Sequence, residues 1–188
     1  MSGAWEQGGA VVVVANKAKD PVLEKLQSSG WHRTYDWPPD YEARQSRRVL
    51  LWPKYSKASQ ARQGAPVIEH ALDGILREGR WFVGVDEARY MTEQLGLRQS
   101  LDELWHQSRS SKITLVASSQ GVSWVPKGLT TQIRWIFLFR PEHLEDRKEY
   151  AAVAGNKAIA EVLGTLRPHE FIIISRKDRA FYVSKVGS

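Results

Sequence analysis

Apolar residues in this chain fall into two patterns. Short runs dense in β-branched residues predict strands, and longer stretches with apolar positions three and four apart predict helices. GGAVVVVANK (8–17) carries an unbroken valine run, the pattern of a strand buried on both faces. AKDPVLEKLQSSG (18–30) predicts a helix with Asp20 as N-cap, Pro21 in the first turn and Gly30 as a stop. RVLLW (48–52) is a second strand, and FVGVD (82–86) a third. Between them, APVIEHALDGILREG (65–79) sets Ile68, Ala71, Leu72, Ile75 and Leu76 at helical spacing and closes on Gly79. LRQSLDELWHQSR (97–109) puts Leu97, Leu101, Leu104 and Trp105 on one helical face. KITLVASSQ (112–120) and RWIFLFR (134–140) are further strands, followed by a helical region over 142–163. EFIIISRKDRAFYVSKV (170–186) predicts a hairpin around an Arg-Lys-Asp tip. Strands separated by helices predict an α/β fold: one domain with a mostly parallel sheet and that hairpin appended. WHRTYDWPPDYEARQSRR (31–48) breaks the pattern and reads as an irregular insertion around Pro38-Pro39.

Composition narrows the picture in two places. At 188 residues and 42% hydrophobic the chain can bury a real core. It has no cysteine, which rules out disulfides and thiolate metal sites, and its five histidines show no zinc-ligand spacing. The apolar run Ala10–Ala15 is far too short to span a bilayer, and no signal-peptide pattern surrounds it, so the chain reads as soluble and cytoplasmic. A net charge of +6 makes a polyanionic partner plausible. From Arg44 to Ile68 there is no acidic residue, while Arg44, Arg47, Arg48, Lys54, Lys57 and Arg62 are all cationic. Such a run is either a solvated face, a subunit contact, or a patch that touches DNA phosphates.

The chemistry concentrates where FVGVD ends. An apolar strand runs directly into two adjacent carboxylates, Asp86 and Glu87. In a parallel sheet the carboxyl ends of the strands form the crevice where ligands bind. Four apolar or small residues leading into Asp-Glu resemble a Walker B element. There the aspartate belongs to the Mg²⁺ shell of a nucleoside triphosphate, and the glutamate orients the attacking water. The same string also arises where a strand merely ends and a glutamate begins the next helix. Downstream, the strand Ile113–Ser118 ends in Ser118-Ser119-Gln120, which places a polar amide beside the carboxylates.

DEARYM, followed by LWHQSRSSKITLVASSQGVSWVP, resembles the second half of the FtsK/HerA family of RecA-like pumping ATPases. IRWIFLFR and LGTLRPHEFIII (163–174) continue the likeness, and AVVVVANKAKD resembles a family strand that ends near Asp-x-Lys. The resemblance touches most of residues 10–175, with 81–140 the distinctive part. It implies a RecA-like three-layer sandwich, ATP and Mg²⁺ as cofactors, and a homo-oligomeric ring, expected as a hexamer, acting on double-stranded DNA; phage and plasmid versions of such motors are expected. Carried over by position, Asp86 is the Mg²⁺-associated carboxylate, Glu87 the catalytic base and Gln120 the sensor. Arg109 becomes a candidate arginine finger acting on a neighbour's nucleotide, with Arg134 and Arg140 as lesser candidates.

One departure matters. The chain contains no G-x-x-x-x-G-K-[ST], the loop whose amides and lysine grip the phosphates. Gly155-Asn156-Lys157 lacks that context. The expectation is a partial ATPase that begins just after the phosphate-loop helix, binds ATP poorly alone and leaves an open slot in its sheet. A non-catalytic DNA-binding or accessory subunit that keeps only the fold is the alternative. A Mg²⁺-dependent nuclease using Asp86 and Glu87 is a third reading, for which no further carboxylate is evident. Trp124, after Gln120, is a candidate partner contact.

Overall fold

The structure, a computed structural model, describes residues 9–54, 62–121 and 132–186. The chain divides into two compact units, Met1–Gln120 and Gly121–Ser188.

In the first unit five strands form a wholly parallel sheet: β1 (Ala10–Val14), β2 (His32–Thr34), β3 (Arg48–Leu51), β4 (Trp81–Val85) and β5 (Thr114–Ala117). Their order is β2-β3-β1-β4-β5. Among the described residues the connecting helices are α1 (Pro21–Ser28), α2 (Tyr41–Ser46), α3 (Ala65–Glu78), α4 (Ala88–Glu93) and α5 (Arg98–Gln107). The valine run is central because a strand with apolar side chains on both sides needs cover on both faces. On one face Leu23 and Leu26 of α1 pack with Val13, Ala15, Leu50 and Trp52. On the other, Val12, Val14, Val83 and Val85 are buried. That face also carries Trp81, whose ring lies 5.4 Å from Trp37, and the Trp37 indole rests directly against Gly74 of α3. A Cβ on Gly74 would overlap the indole, so the close approach requires glycine.

Helix boundaries follow the signals. Asp20 caps α1, its carboxylate accepting the N–H groups of Val22 at 2.8 Å and Leu23 at 3.3 Å, and Pro21 occupies the first turn. Gly79 ends α3 at φ +66°, tight against the Ser111 carbonyl.

Residues 31–48 correct the expectation of an irregular insertion. They hold β2 on the sheet edge and α2, which is capped by Asp40 through the Ala43 N–H at 2.8 Å. A three-residue strand is too short to show a period, and the loop between β2 and α2 holds the Trp37–Pro38 cis peptide bond.

The second unit is antiparallel. β6 (Trp135–Phe139), β7 (Glu170–Ser175) and β8 (Ala180–Lys185) form a sheet in that order, with α6 (Leu144–Ala154) and α7 (Ala158–Thr165) between the first two strands. The predicted hairpin is β7–β8. The predicted helical region splits at Gly155, which ends α6 at φ +74°. β6 pairs antiparallel with β7 instead of joining the parallel sheet. Leu138, Ala151, Ile159, Leu163, Leu166, Ile172 and Ile174 make its core. The architecture is thus a five-stranded parallel α/β sheet plus a separate three-stranded antiparallel sheet.

Among the described residues, β5 pairs only with β4 and β6 only with β7. Phe82 and Val116 are exposed on one face of β4–β5, a side that α1 covers only over β1 and β3. Trp135, Phe137 and Phe139 are exposed on one face of β6. Each sheet therefore has one covered face and one partly open one.

Candidate functional site

Every strand of the first sheet points the same way, so the loops after β1, β4 and β5 converge at one edge. The β4 ladder runs past its last residue: the Asp86 N–H donates to Val14 O at 3.3 Å, and the Ser118 N–H donates to Val85 O at 3.0 Å. Asp86 and Glu87 thus emerge between the ends of β1 and β5, held by backbone from both sides.

Polar side chains complete the edge. Asn16, 4% exposed, donates through Nδ2 to the Asp86 carbonyl at 2.9 Å and to that of Glu87 at 3.4 Å. The Ser118 hydroxyl donates to Asp86 Oδ1 at 3.2 Å and accepts the Glu87 N–H at 3.1 Å. The Lys17 ammonium lies 3.2 Å from Asp86 Oδ2 and 3.3 Å from Asp20 Oδ2. Partial burial on its own would lower the Lys17 pKa. Hydrogen bonds and charge from Asp86, then Asp20, outweigh it and hold the ammonium above the ordinary lysine value. For Asp20, partial burial acts to raise the pKa. The Leu23 and Val22 N–H groups, with Lys17, outweigh that and keep its carboxyl below the usual aspartate range.

Glu87 has left-handed backbone, φ +52° and ψ +63°, an uncommon conformation for a residue with a side chain. The turn breaks the strand sharply, and the Ala88 N–H then donates to Ser118 O at 2.9 Å as α4 begins. Glu87 lines a cleft of about 640 Å³ together with Lys17, Lys19, Arg89, Tyr90 and Gln120. The sequence-predicted Glu87 and Gln120 therefore meet in one cavity, with Asp86 beside it.

Arg109 is elsewhere. It is exposed in the turn between α5 and β5, where its carbonyl accepts the Lys112 N–H at 3.3 Å. Two residues on, the Ser111 carbonyl accepts the Arg80 N–H, just before β4 starts. Arg109 thus sits at the amino end of the sheet, about 17 Å of strand away from Asp86 at about 3.3 Å per residue. It does not serve the cleft of its own unit. Arg140 donates to Leu166 O at 3.0 Å in the second unit, and the Arg134 carbonyl accepts the Arg176 N–H there.

The basic run is divided as well. Arg44, Arg47 and Arg48 lie around the α2–β3 junction at the amino end of β3, with Arg44 Nε donating to the Pro39 carbonyl. Lys54 follows the carboxyl end of β3, so it does not share a face with them. Lys57 and Trp124 lie outside the described residues.

Asn16, Lys17 and Ser118 were not singled out from sequence as site residues. The signal existed: Asn16-Lys17 ends one buried valine strand as Asp86-Glu87 ends the next. For a divalent cation, the donor set near Asp86 is one carboxylate, the Ser118 hydroxyl and Glu87 nearby. Among the described residues no three His, Asp or Glu side chains cluster as a metal cage. Mg²⁺ bound with a nucleotide asks for one or two carboxylates, waters and phosphate oxygens, and the residues present fit that mode.

Scans of protein-family models and of curated proteins returned no match. Solved structures did. The DNA-packaging ATPase B204 from Sulfolobus turreted icosahedral virus aligns with a TM-score of 0.55 and 17% identity, over 96% of this chain and 98% of that one. The genome-packaging NTPase B204 from Sulfolobus turreted icosahedral virus 2, in complex with AMP, aligns at 0.54 and 16% identity, over 95% and 97%. Its complex with ATP-gammaS gives 0.54 and 16%, over 94% and 97%. The likeness is one of fold. No described helix is long and apolar enough to cross a membrane.

Proposed function

We propose that this chain, taken over residues 1–188 as a P-loop NTPase-like domain, is part of an FtsK/HerA-type ATPase that couples ATP hydrolysis to DNA translocation or packaging. The observation that carries the reading is the convergence of Glu87 and Gln120, from two adjacent parallel strands, on one cleft at the carboxyl edge, with Asp86 beside it. Asp86 would associate with Mg²⁺ and Glu87 would orient water, with Gln120 placed to report the terminal phosphate. Bound Mg²⁺ would neutralise phosphate charge. The genome-packaging role of B204 and its complexes with AMP and ATP-gammaS support the same reading. Arg109, at the far edge, would act only on a neighbouring subunit's site in a homo-oligomeric ring, which the reading takes as a hexamer. Duplex DNA would meet cations such as Arg44, Arg47, Arg48, Lys54 and Lys57, and the setting would be cytoplasmic.

Within residues 1–188 nothing supplies the phosphate-loop lysine and amides, so the chain alone holds ATP poorly. Titration with Mg²⁺–ATP tests this: a Kd weaker than about 1 mM and no turnover are expected. Micromolar binding abolished by Asp86→Ala would overturn the incompetence of the isolated chain. Metal-dependent DNA cleavage without ATP, lost in Asp86→Ala, would replace the whole reading with that of a nuclease.

The missing phosphate-loop motif also favours a second reading, a non-catalytic DNA-binding or motor-accessory subunit. Salt-dependent duplex binding whose slope falls on neutralising Arg47 and Arg48, without nucleotide binding, selects it.

A further inference from the structure

Each Asp86 oxygen already has a donor: Oδ1 takes the Ser118 hydroxyl and Oδ2 takes the Lys17 ammonium at 3.2 Å. The backbone that carries Lys17 is fixed. Asn16 ties it to the Asp86 and Glu87 carbonyls, and the Trp52 indole N–H donates to the Lys17 carbonyl. Only the flexible four-carbon stem is free to move, and the Lys17 side chain is 45% exposed. A divalent cation and an ammonium repel each other strongly at contact distance, so they do not share Oδ2. Asp20, already 3.3 Å from the same ammonium, gives it a second anion to keep on leaving Asp86.

We propose that Lys17 is the resident counter-ion of Asp86, and that a divalent cation reaches this carboxylate only by displacing the Lys17 ammonium toward Asp20. The proposal rests on the reading of Asp86 as the cation-associated residue. Lys17 is a positioning residue in this scheme: it neutralises an acid that would otherwise stand uncompensated beside Glu87, and it sets the threshold for metal entry. The groups facing it are Asp86 and Asp20, with Glu87 and Lys19 along the same cleft.

The experiment is titration of the full chain with Mn²⁺ alone, free ion being read by electron paramagnetic resonance and folding checked by circular dichroism. Lys17→Met should bind Mn²⁺ about tenfold tighter than the wild type. Lys17→Arg should restore the weak wild-type affinity, and Asp86→Asn placed in the Lys17→Met background should cancel the gain. If Asp86→Asn weakens binding while Lys17→Met changes nothing, Lys17 does not compete, and the proposal fails alone. If the gain survives Asp86→Asn, the ion binds elsewhere and the reading of Asp86 fails. If no variant binds Mn²⁺ in the millimolar range, both fall.

Discussion

The two units solve the same packing problem with different strand directions, and among the described residues only the first concentrates polar chemistry. In the first, parallel strands send the loops after β1, β4 and β5 to a single edge, where Asn16, Lys17, Asp86, Glu87 and Ser118 interlock. In the second, antiparallel strands alternate direction, so successive connections leave from opposite ends. Its polar turn, Arg176–Arg179, is secured locally by Ser175 Oγ donating to Asp178 Oδ2 at 2.6 Å. Apolar burial is similar in kind in both: Leu72 of α3 and Leu163 of α7 are each at most 1% exposed. Strand direction, more than core quality, therefore decides where a site can form.

The comparison is tested most forcefully in the cores. Leu72→Ala and Leu163→Ala should each cost about 2–5 kcal/mol in urea unfolding, through lost burial and the cavity left behind. Neither residue touches the cleft, so Mn²⁺ affinity of the folded fraction should stay as in the wild type. A large affinity change in Leu72→Ala would show that the edge depends on the core more closely than its own hydrogen bonds indicate.

Asn16→Ala reverses that balance. The side chain is buried and its amide joins the β1 loop to the Asp86 and Glu87 carbonyls. Its loss leaves the partly buried Asp86 carbonyl without that donor, at about 1–3 kcal/mol, while the Glu87 carbonyl keeps the Met91 N–H. It also frees the backbone that aims Lys17 and Asp86, so cation affinity should shift despite the smaller stability loss. Unchanged affinity in Asn16→Ala would separate the stitch from the site.

Much of this was legible in the chain itself, for reasons that differ from residue to residue. The valine run, the Asp20–Pro21 helix start and Gly79 as a stop are local signals, and each appears where it was expected. Asp86 and Glu87 could be placed because a strand's end is marked by the change from apolar to charged residues. Convergence is different, since it depends on which strands become neighbours. The β1–β4 pairing brings Lys17 to Asp86 across 69 positions of sequence, and nothing local to either residue announces it. In the basic run, β3 sets Arg44, Arg47 and Arg48 at its amino end and Lys54 past its carboxyl end, a separation that adjacency in sequence does not show. Residues 31–48 hid β2 because a three-residue edge strand takes its stability from β3, not from its own pattern.

A smaller effect separates charge from capping at the same edge. Asp20→Ala removes the cap of α1 and should cost about 1 kcal/mol at neutral pH. The folded-state pKa of Asp20 is depressed, so its contribution is present above the ordinary aspartate value of about 3.9 and is lost as pH falls through the folded pKa. The gap between wild type and variant should therefore narrow in acid. A gap that is constant down through that range would mean that the charge of Asp20 contributes nothing.

The smallest effect has the opposite sign. Glu87 holds left-handed backbone, at φ +52°, and a non-glycine residue there costs about 1–3 kcal/mol. Glycine adopts that conformation freely but loses more chain entropy on folding, about 0.5–1 kcal/mol. Taking the middle of each range, Glu87→Gly should then stabilise the fold by about 1 kcal/mol in urea unfolding. Glu87→Ala, which keeps the strain and removes the carboxylate, should gain none of it. Among the described residues of the second unit, the left-handed non-glycine residues are His169, just before β7, and Arg179, in the β7–β8 turn. Equal stability of Glu87→Gly and Glu87→Ala would mean that the turn is not strained. A gain confined to Glu87→Gly would show that the sheet edge keeps a carboxylate where the backbone alone would favour glycine, which is the expected mark of a residue retained for chemistry.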